Sequence, residues 1–136
     1  MALHRVVLDT DTLSAIMRQS PLVIPKARAY LAEHGRFTLS VITRYEVLRG
    51  LKVKGAVKQV AAFDRFCARV EILPVNDETA VRGADIYAEL SRSGELIGDA
   101  DILIAASALI HGLGVSTNNE SHFGRVRGLH VENWLR

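Results

Sequence analysis

The sequence of 136 residues contains little cysteine or proline and no long apolar segment. Its single cysteine, Cys67, excludes an internal disulfide and a thiolate-rich metal cluster, which favours a reducing, cytoplasmic setting. No apolar run approaches the ~18–20 residues of a membrane-spanning helix, so we expect no contact with a membrane. The first apolar run ends at Asp9, so no signal peptide is expected. The five histidines lack the spacing of zinc ligands.

What the sequence does contain is the composition of a globular protein. Apolar residues make up 49% of the chain and charged residues 24%. This length suits one domain of ordinary size, which we place over residues 1–136.

The small net charge of +2 conceals a strong asymmetry between the two halves. Residues 1–70 contain 12 Lys and Arg against 5 Asp and Glu, whereas residues 71–136 contain 5 against 10. Such a division predicts a basic face and an acidic site, and a polyanion is a reasonable partner. The alternative is a dipolar surface without a function.

Short apolar strands alternate with helices along the chain. The patterns predict strands at 6–9, 37–40, 70–73, 115–117 and 129–131, and helices at 12–19, 25–34, 42–51, 55–68, 77–92 and 101–111. This alternation predicts an α/β fold with a mostly parallel sheet of four to five strands, flanked by helices on both faces. In such folds the functional site lies beyond the carboxyl ends of the strands.

Four acidic residues follow apolar segments or begin helices: Asp9, Glu46, Asp99 and Asp101. Asp9 ends the first predicted strand, and Asp101 opens a helix that is otherwise apolar. Two carboxylates ~4 Å apart repel each other by about 4 kcal/mol at an effective dielectric constant near 20. A hard divalent cation, Mg²⁺ or Mn²⁺, relieves this repulsion and can orient a phosphate and acidify a water molecule. The pattern therefore favours phosphodiester hydrolysis.

Each of these acids also has a purely structural interpretation. Asp9 would cap the helix that follows it, and a capping role is favoured for Asp99 and Asp11. Glu46 alone is weak evidence, since such residues are often solvated or ion-paired. Near the end of the chain, we expect Trp134 to pack the C-terminal segment onto the domain.

A basic segment extends from Arg44 to Arg69 and contains only two acidic residues. Its candidate contacts to RNA or to a partner protein are Arg44, Arg49, Lys52, Lys54 and Lys58. Phosphate contacts from such residues would be independent of base sequence and sensitive to salt. A solvated helical face is the alternative.

Several blocks of sequence resemble PIN-domain nucleases of the VapC type, the toxins of VapBC toxin–antitoxin systems. These blocks are residues 6–14, 39–50, 97–106, 116–123 and 126–134, which together extend over nearly the whole chain. The resemblance implies a single PIN-like domain with a Mg²⁺- or Mn²⁺-dependent endoribonuclease activity. It assigns the metal to Asp9, Glu46 and Asp101, and places the hydroxyl of Thr117 near it.

The sequence departs from this family at the fourth catalytic position. Asn119 stands where an aspartate is usual, which removes one negative charge. Glu120 or Asp11 would compensate for that charge, and Asp99 is a further supporting candidate.

The resemblance also implies partners. It predicts a VapB-type antitoxin, a homodimer or a heteromer with the antitoxin, and a structured RNA substrate. The block at 116–123 and the closing segment are similar to a subgroup linked to cleavage of initiator transfer RNA.

Two other functions compete with this one. Asp9 and Asp11 after an apolar strand also fit the nucleophile motif of haloacid-dehalogenase phosphatases, in which Asp9 would attack phosphorus. Asn119 motivates a second alternative, a catalytically silent PIN domain that only binds RNA or a partner.

Overall fold

The computed structural model describes residues 3–136, in which five strands alternate with seven helices. The strands are β1 (Val6–Leu8), β2 (Thr38–Ser40), β3 (Glu71–Leu73), β4 (Gly114–Ser116) and β5 (Val131–Glu132). The helices are α1 (Thr10–Met17), α2 (Ile24–His34), α3 (Val41–Val53), α4 (Val57–Cys67), α5 (Asp77–Arg92), α6 (Asp99–Ile110) and α7 (Glu120–Phe123). Residues 1 and 2 of the predicted domain lie outside the described range.

The five strands form one sheet in the order β3-β2-β1-β4-β5, and every pairing is parallel. From β1 the chain fills one side of the sheet with β2 and β3, and then crosses to β4 on the other side. The direction of winding therefore reverses between β1 and β4. Parallel α/β sheets bind ligands in the crevice at such a reversal, beyond the carboxyl ends of the strands.

Helices cover both faces of the sheet, as the sequence predicts. Val6, Val7 and Leu8 are completely buried, because successive side chains of β1 point to opposite, covered faces. Val7 belongs to an apolar cluster with residues of α5, α6 and α7. Val6 and Leu8 belong to a second cluster with residues of α1, α2 and α4. The predicted α/β class and parallel sheet are confirmed.

The differences from the predicted elements lie mainly at helix ends. Helix α1 begins at Thr10, two residues before the predicted start, because the Asp9 side chain caps it. Helix α3 continues through Gly50 to Val53. Helix α6 begins at Asp99 and not at Asp101. The short helix α7 was not predicted, since four residues are too few to show a helical period.

The C-terminal segment packs back onto α2, as expected from Trp134. The Trp134 side chain is buried, and its ring centroid lies 5.3 Å from that of Tyr30 and 6.4 Å from that of Phe37. Nearby, the Lys26 ammonium donates to the carbonyl of Arg136 at 2.6 Å. This packing brings the end of the chain close to α7.

None of the helices within residues 3–136 is both long and apolar enough to cross a membrane.

Candidate active site

Asp9 lies at the reversal point of the sheet, directly after β1. Its peptide N–H donates to the carbonyl of Ser116 at 2.9 Å, which extends the β1–β4 ladder by one bond. Its side chain is only 8% exposed, and Oδ1 accepts the N–H of Thr10 at 2.8 Å as the N-cap of α1. Asp9 therefore caps α1, as its structural interpretation predicts. The cap uses Oδ1 and leaves Oδ2 facing β4.

Thr117 follows β4 and meets Asp9 across the crevice. Its hydroxyl donates to Asp9 Oδ2 at 2.8 Å and accepts the N–H of Asn119 at 2.9 Å. Thr117 is completely buried, so this pair is shielded from water. The hydroxyl thus fixes the orientation of the Asp9 carboxylate and the course of the loop after β4.

Glu46 reaches the same edge of the sheet from α3. This helix starts directly after β2, where the Ser40 hydroxyl accepts the N–H of Ile42 at 3.0 Å. Glu46 Oε1 accepts the Thr10 hydroxyl at 2.9 Å. Thr10 therefore contacts two of the predicted ligands at once, because its N–H holds Asp9 and its hydroxyl holds Glu46.

Asp101 approaches from the first turn of α6. Its Oδ2 lies 3.2 Å from His122 Nδ1, and the same nitrogen lies 2.8 Å from Asn119 Nδ2. Asn119 in turn is bonded to Thr117. A chain of polar contacts thus runs from Asp101 through His122, Asn119 and Thr117 to Asp9.

Burial and two neighbouring acids, Asp11 and Asp101, act on the charge of Asp9. The pKa of Asp9 is raised from 3.8 to about 6, chiefly by burial and then by the charge of Asp11, with Asp101 adding to the rise. The hydrogen bonds from Thr10 and Thr117 oppose this rise. Asp9 is therefore a carboxylate whose negative charge lacks compensation.

Asp11 completes what we call the carboxylate cluster, namely Asp9, Asp11, Glu46 and Asp101. Its Oδ1 accepts the N–H of Thr12 at 2.6 Å, and its Oδ2 accepts the N–H of Asn118 at 2.9 Å. The capping role predicted for Asp11 is wrong, because the N-cap of α1 is Asp9 and Asp11 lies in the first turn of that helix. Asp11 instead ties α1 to the loop after β4.

Two of the supporting candidates lie apart from the cluster. Asp99 is exposed at the start of α6, and no side chain caps that helix, so the capping role predicted for Asp99 is wrong. The Glu120 carboxylate is bound by Asn133 at 3.1 Å and by Arg136. The hydrogen bond from Asn133, followed by the contact with Arg136, lowers the pKa of Glu120. The C-terminal segment therefore neutralises Glu120.

The donor set of the cluster fits a hard divalent cation. Every candidate ligand is an oxygen, from the carboxylates and the Thr117 hydroxyl, which suits Mg²⁺ or Mn²⁺. Among residues 3–136 no lysine or arginine forms an ion pair with the cluster. In that same range, no three acidic, histidine or cysteine side chains stand close enough to hold one ion as they are arranged. A cation bound here would require these side chains to rotate toward it.

The predicted basic residues lie on and just after α3 and on α4, and we call them the basic surface: Arg44, Arg49, Lys52, Lys54 and Lys58. Arg44 differs from the others, because its guanidinium pairs with Asp64 at 3.0 Å and lies 5.7 Å from the centroid of the Phe63 ring. The other four are exposed, and within residues 3–136 they form no ion pair.

A parallel sheet with an acidic crevice at its reversal point agrees with the family suggested by the sequence. The family model for the PIN domain matches residues 6–129, and the chain belongs to the PIN-domain family. This match assigns the chain to a class other than the haloacid dehalogenases.

The relatives of the chain within this family carry VapC names. The chain is 34% identical to "Ribonuclease VapC2" of Haemophilus influenzae, over 96% of this chain and 98% of that protein. It is 31% identical to "tRNA(fMet)-specific endonuclease VapC" of Salmonella typhimurium, over the same shares. Among solved structures it is similar to a DNA-bound VapBC from Salmonella typhimurium. That likeness has a TM-score of 0.84 and 29% identity, and it covers 97% of this chain and 99% of the other.

Sequence reasoning missed two residues of the site, Thr10 and His122. Thr10 lies within the block at residues 6–14, but a hydroxyl next to an aspartate gives no sign that it will reach Glu46, 36 residues away. His122 was noted only as part of a block. Its contact with Asp101 depends on how α7 packs against α6.

Proposed function

We propose that the chain is a VapC-type toxin whose activity is that of a divalent-metal-dependent endoribonuclease. The observation that carries this proposal is the carboxylate cluster at the reversal point of the sheet. Buried Asp9, with a pKa raised to about 6 by burial and by neighbouring acids, marks a site that lacks positive charge. The names of the relatives, ribonuclease and endonuclease, support the same activity.

Asp9, Glu46 and Asp101 would hold the ion, which is Mg²⁺ or Mn²⁺. When bound, such an ion would offset the charge of a substrate phosphate and acidify a water molecule. Thr117 orients Asp9, and Thr10 orients Asp9 and Glu46 together. His122 and Asn119 connect Asp101 to the same loop, so we expect a change in either of them to affect the position of Asp101.

The direct test is cleavage of a structured RNA by the purified chain with and without Mg²⁺ or Mn²⁺. We expect products only with the metal, and none from Asp9→Asn or Asp101→Asn. RNA cleavage that survives either substitution would refute the assignment of the metal site. Isothermal titration with Mn²⁺ provides a second measurement that does not depend on turnover.

A catalytically silent PIN domain is the second candidate, and Asn119 is the observation that favours it. The side chain at this position is an amide that contacts His122 and supplies no negative charge. This alternative predicts RNA binding without products at any Mn²⁺ concentration. Restored cleavage in Asn119→Asp would show that the missing charge is the cause.

For the substrate, we propose a structured RNA, with initiator transfer RNA as the first to test. Two relatives named tRNA(fMet)-specific endonuclease, at 31% and 29% identity, support this choice. Incubation with total transfer RNA, followed by mapping of the new ends, would show the cleaved species. Equal cleavage of all transfer RNAs would exclude specificity for the initiator.

For the partner, we propose a VapB-type antitoxin that forms a heteromer with this chain and suppresses its activity. Solved structures similar to this chain are VapBC complexes. A small open reading frame upstream would be the candidate, and co-expression should yield a complex that does not cleave RNA. Light scattering of the chain alone would test the expected homodimer.

A further inference from the structure

An aromatic ring and a guanidinium form an exposed pair on α3. The Tyr45 side chain is 58% exposed, and the guanidinium carbon of Arg49 lies 5.1 Å from the centroid of its ring. The two residues are one helical turn apart, which places their side chains together on the helix surface. Neither residue is needed for the packing of the core, because both are exposed.

This pair lies on the helix that carries Glu46, a member of the carboxylate cluster. Tyr45 immediately precedes Glu46, and Arg49 follows it by one turn, so on an α-helix they stand about 100° and about 60° around the axis from Glu46. Glu46 is held against α1 by Thr10. Tyr45 and Arg49 therefore flank Glu46 along α3, and both side chains are exposed.

The surroundings of the pair favour a polyanion. With Val41, Arg44, Leu48 and Lys52, the pair lines a shallow groove of about 380 Å³. Residues 41–67 contain six basic and two acidic residues. Of those two acids, Asp64 pairs with Arg44 and Glu46 accepts from Thr10. Within residues 3–136, neither Arg49 nor Lys52 forms an ion pair with a carboxylate.

We propose that Tyr45 and Arg49 form a stacking platform for an unpaired nucleobase of the RNA substrate. This proposal rests on the proposed ribonuclease function and specifies its substrate. Single-stranded RNA is recognised by stacking of splayed bases on aromatic rings and on the planes of guanidinium groups, and both surfaces are present here. Lys52 lines the same groove, and its ammonium group would contact a flanking phosphate.

The platform selects a class of substrate. A base within a continuous duplex is stacked on its neighbours and cannot reach an exposed ring, whereas a base in a loop can. The preferred substrate is therefore a hairpin with an unpaired base in its loop. A fully paired duplex of the same sequence would be a poor substrate.

The test uses a hairpin RNA with the fluorescent base 2-aminopurine in its loop, mixed with the full chain in EDTA so that no cleavage occurs. We expect the emission to change when the loop base stacks on wild-type protein. Tyr45→Leu keeps the apolar bulk but removes the ring, so it should weaken binding about 10- to 100-fold and abolish the change in emission. Tyr45→Phe should retain both.

Arg49→Lys keeps the positive charge but removes the planar guanidinium group, and it should weaken binding of the hairpin RNA about 10-fold. Arg18→Lys makes the same chemical change at the exposed end of α1 and should have no effect. Melting temperatures would confirm that all variants are folded.

Three results would overturn the platform. The first is equal binding and emission for Tyr45→Leu and Tyr45→Phe, and the second is no binding of the hairpin by wild-type protein. The third is a loss of antitoxin affinity in Tyr45→Leu with unchanged RNA binding, which would make this surface a protein interface. A stacked but uncleaved hairpin in Mn²⁺ would instead refute the ribonuclease function and leave the platform standing.

Discussion

The carboxylate cluster and the basic surface differ in how the fold builds them. The cluster joins residues far apart in the chain, and Asp9 is held by Thr117, which lies 108 positions away. Its members are buried or half-buried and are held by hydrogen bonds from other elements. The basic surface comes from one continuous segment, and most of its side chains are exposed and unpaired in the described structure.

This difference implies two kinds of response to mutation. In the cluster, each group has a fixed position and few substitutes, so single changes should have large effects that do not add independently. On the basic surface, each cation contributes a small, screened interaction with a polyanion, so effects should be modest and roughly additive. The experiments below test this comparison.

The largest effect is expected from removal of a carboxylate that would hold the ion. Asp9→Asn and Asp101→Asn each remove a metal ligand, and we expect cleavage to fall by about 10³-fold or more, since metal assistance is worth several kcal/mol. Single-turnover cleavage with saturating Mn²⁺ measures this loss. Asp85→Asn, at an exposed site on α5, is the control and should cleave normally.

The second effect is a pH dependence of the stability of the metal-free protein. Asp9 has a pKa of about 6 in the folded state and 3.8 as an unperturbed group, so folding favours its protonated form. Protonated Asp9 contributes about 3 kcal/mol to the free energy of unfolding. This contribution is fully present below about pH 4 and is lost as the pH rises through 6. The Asp9→Asn variant should not lose stability in this way as the pH rises.

Urea unfolding in EDTA at pH 4 and pH 7 compares the wild type with Asp9→Asn. The relative stability of the variant should increase between these two values. If both proteins change in parallel, Asp9 is not the group whose burial is costly. Addition of Mn²⁺ at pH 7 should stabilise the wild type more than the variant.

A third effect should follow from loss of the hydroxyl that orients Asp9. Thr117→Val keeps the shape but cannot donate to Asp9, and we expect Mn²⁺ to bind about 10- to 100-fold more weakly. Thr117→Ser retains the donor and should bind nearly as well as the wild type. Calorimetric titration distinguishes them, and equal affinity of the two variants would contradict the orienting role.

A fourth, smaller effect concerns the position that departs from the family pattern. Asn119→Asp adds a charge next to the cluster, and we expect Mn²⁺ to bind up to about 10-fold more tightly. Glu120→Gln is the matched control, because Asn133 and Arg136 already neutralise Glu120. An unchanged affinity in Asn119→Asp would remove residue 119 from the site.

The smallest effects are expected on the basic surface. Lys54→Gln or Lys58→Gln should weaken RNA binding only a few-fold, equally for different sequences, and should reduce the salt slope by about 1. Binding measured at several salt concentrations gives this slope. An effect as large as that of Asp9→Asn on cleavage would mean that the two regions do not differ as described.

The sequence predicted much of this architecture because its patterns are local. A run such as Val6 to Leu8 can only be buried on both faces, and a charge directly after it must lie at the edge of the sheet. The conventional helix signals were also reliable, since Gly35 ends α2 with φ of 82°. The helix start at Thr10 differs from the predicted one because it depends on the geometry of the Asp9 cap.

The sequence by itself determined the α/β class, the alternating elements and which acids stand at the ends of strands and helices. The periodicity of apolar residues decides these features within a few residues of chain. Only the tertiary structure decided that β4 lies beside β1, that Thr117 donates to Asp9, and that His122 contacts Asp101. Such contacts depend on the order of strands and on the packing of helices, which arise from the sum of many distant interactions and leave no pattern in any one segment.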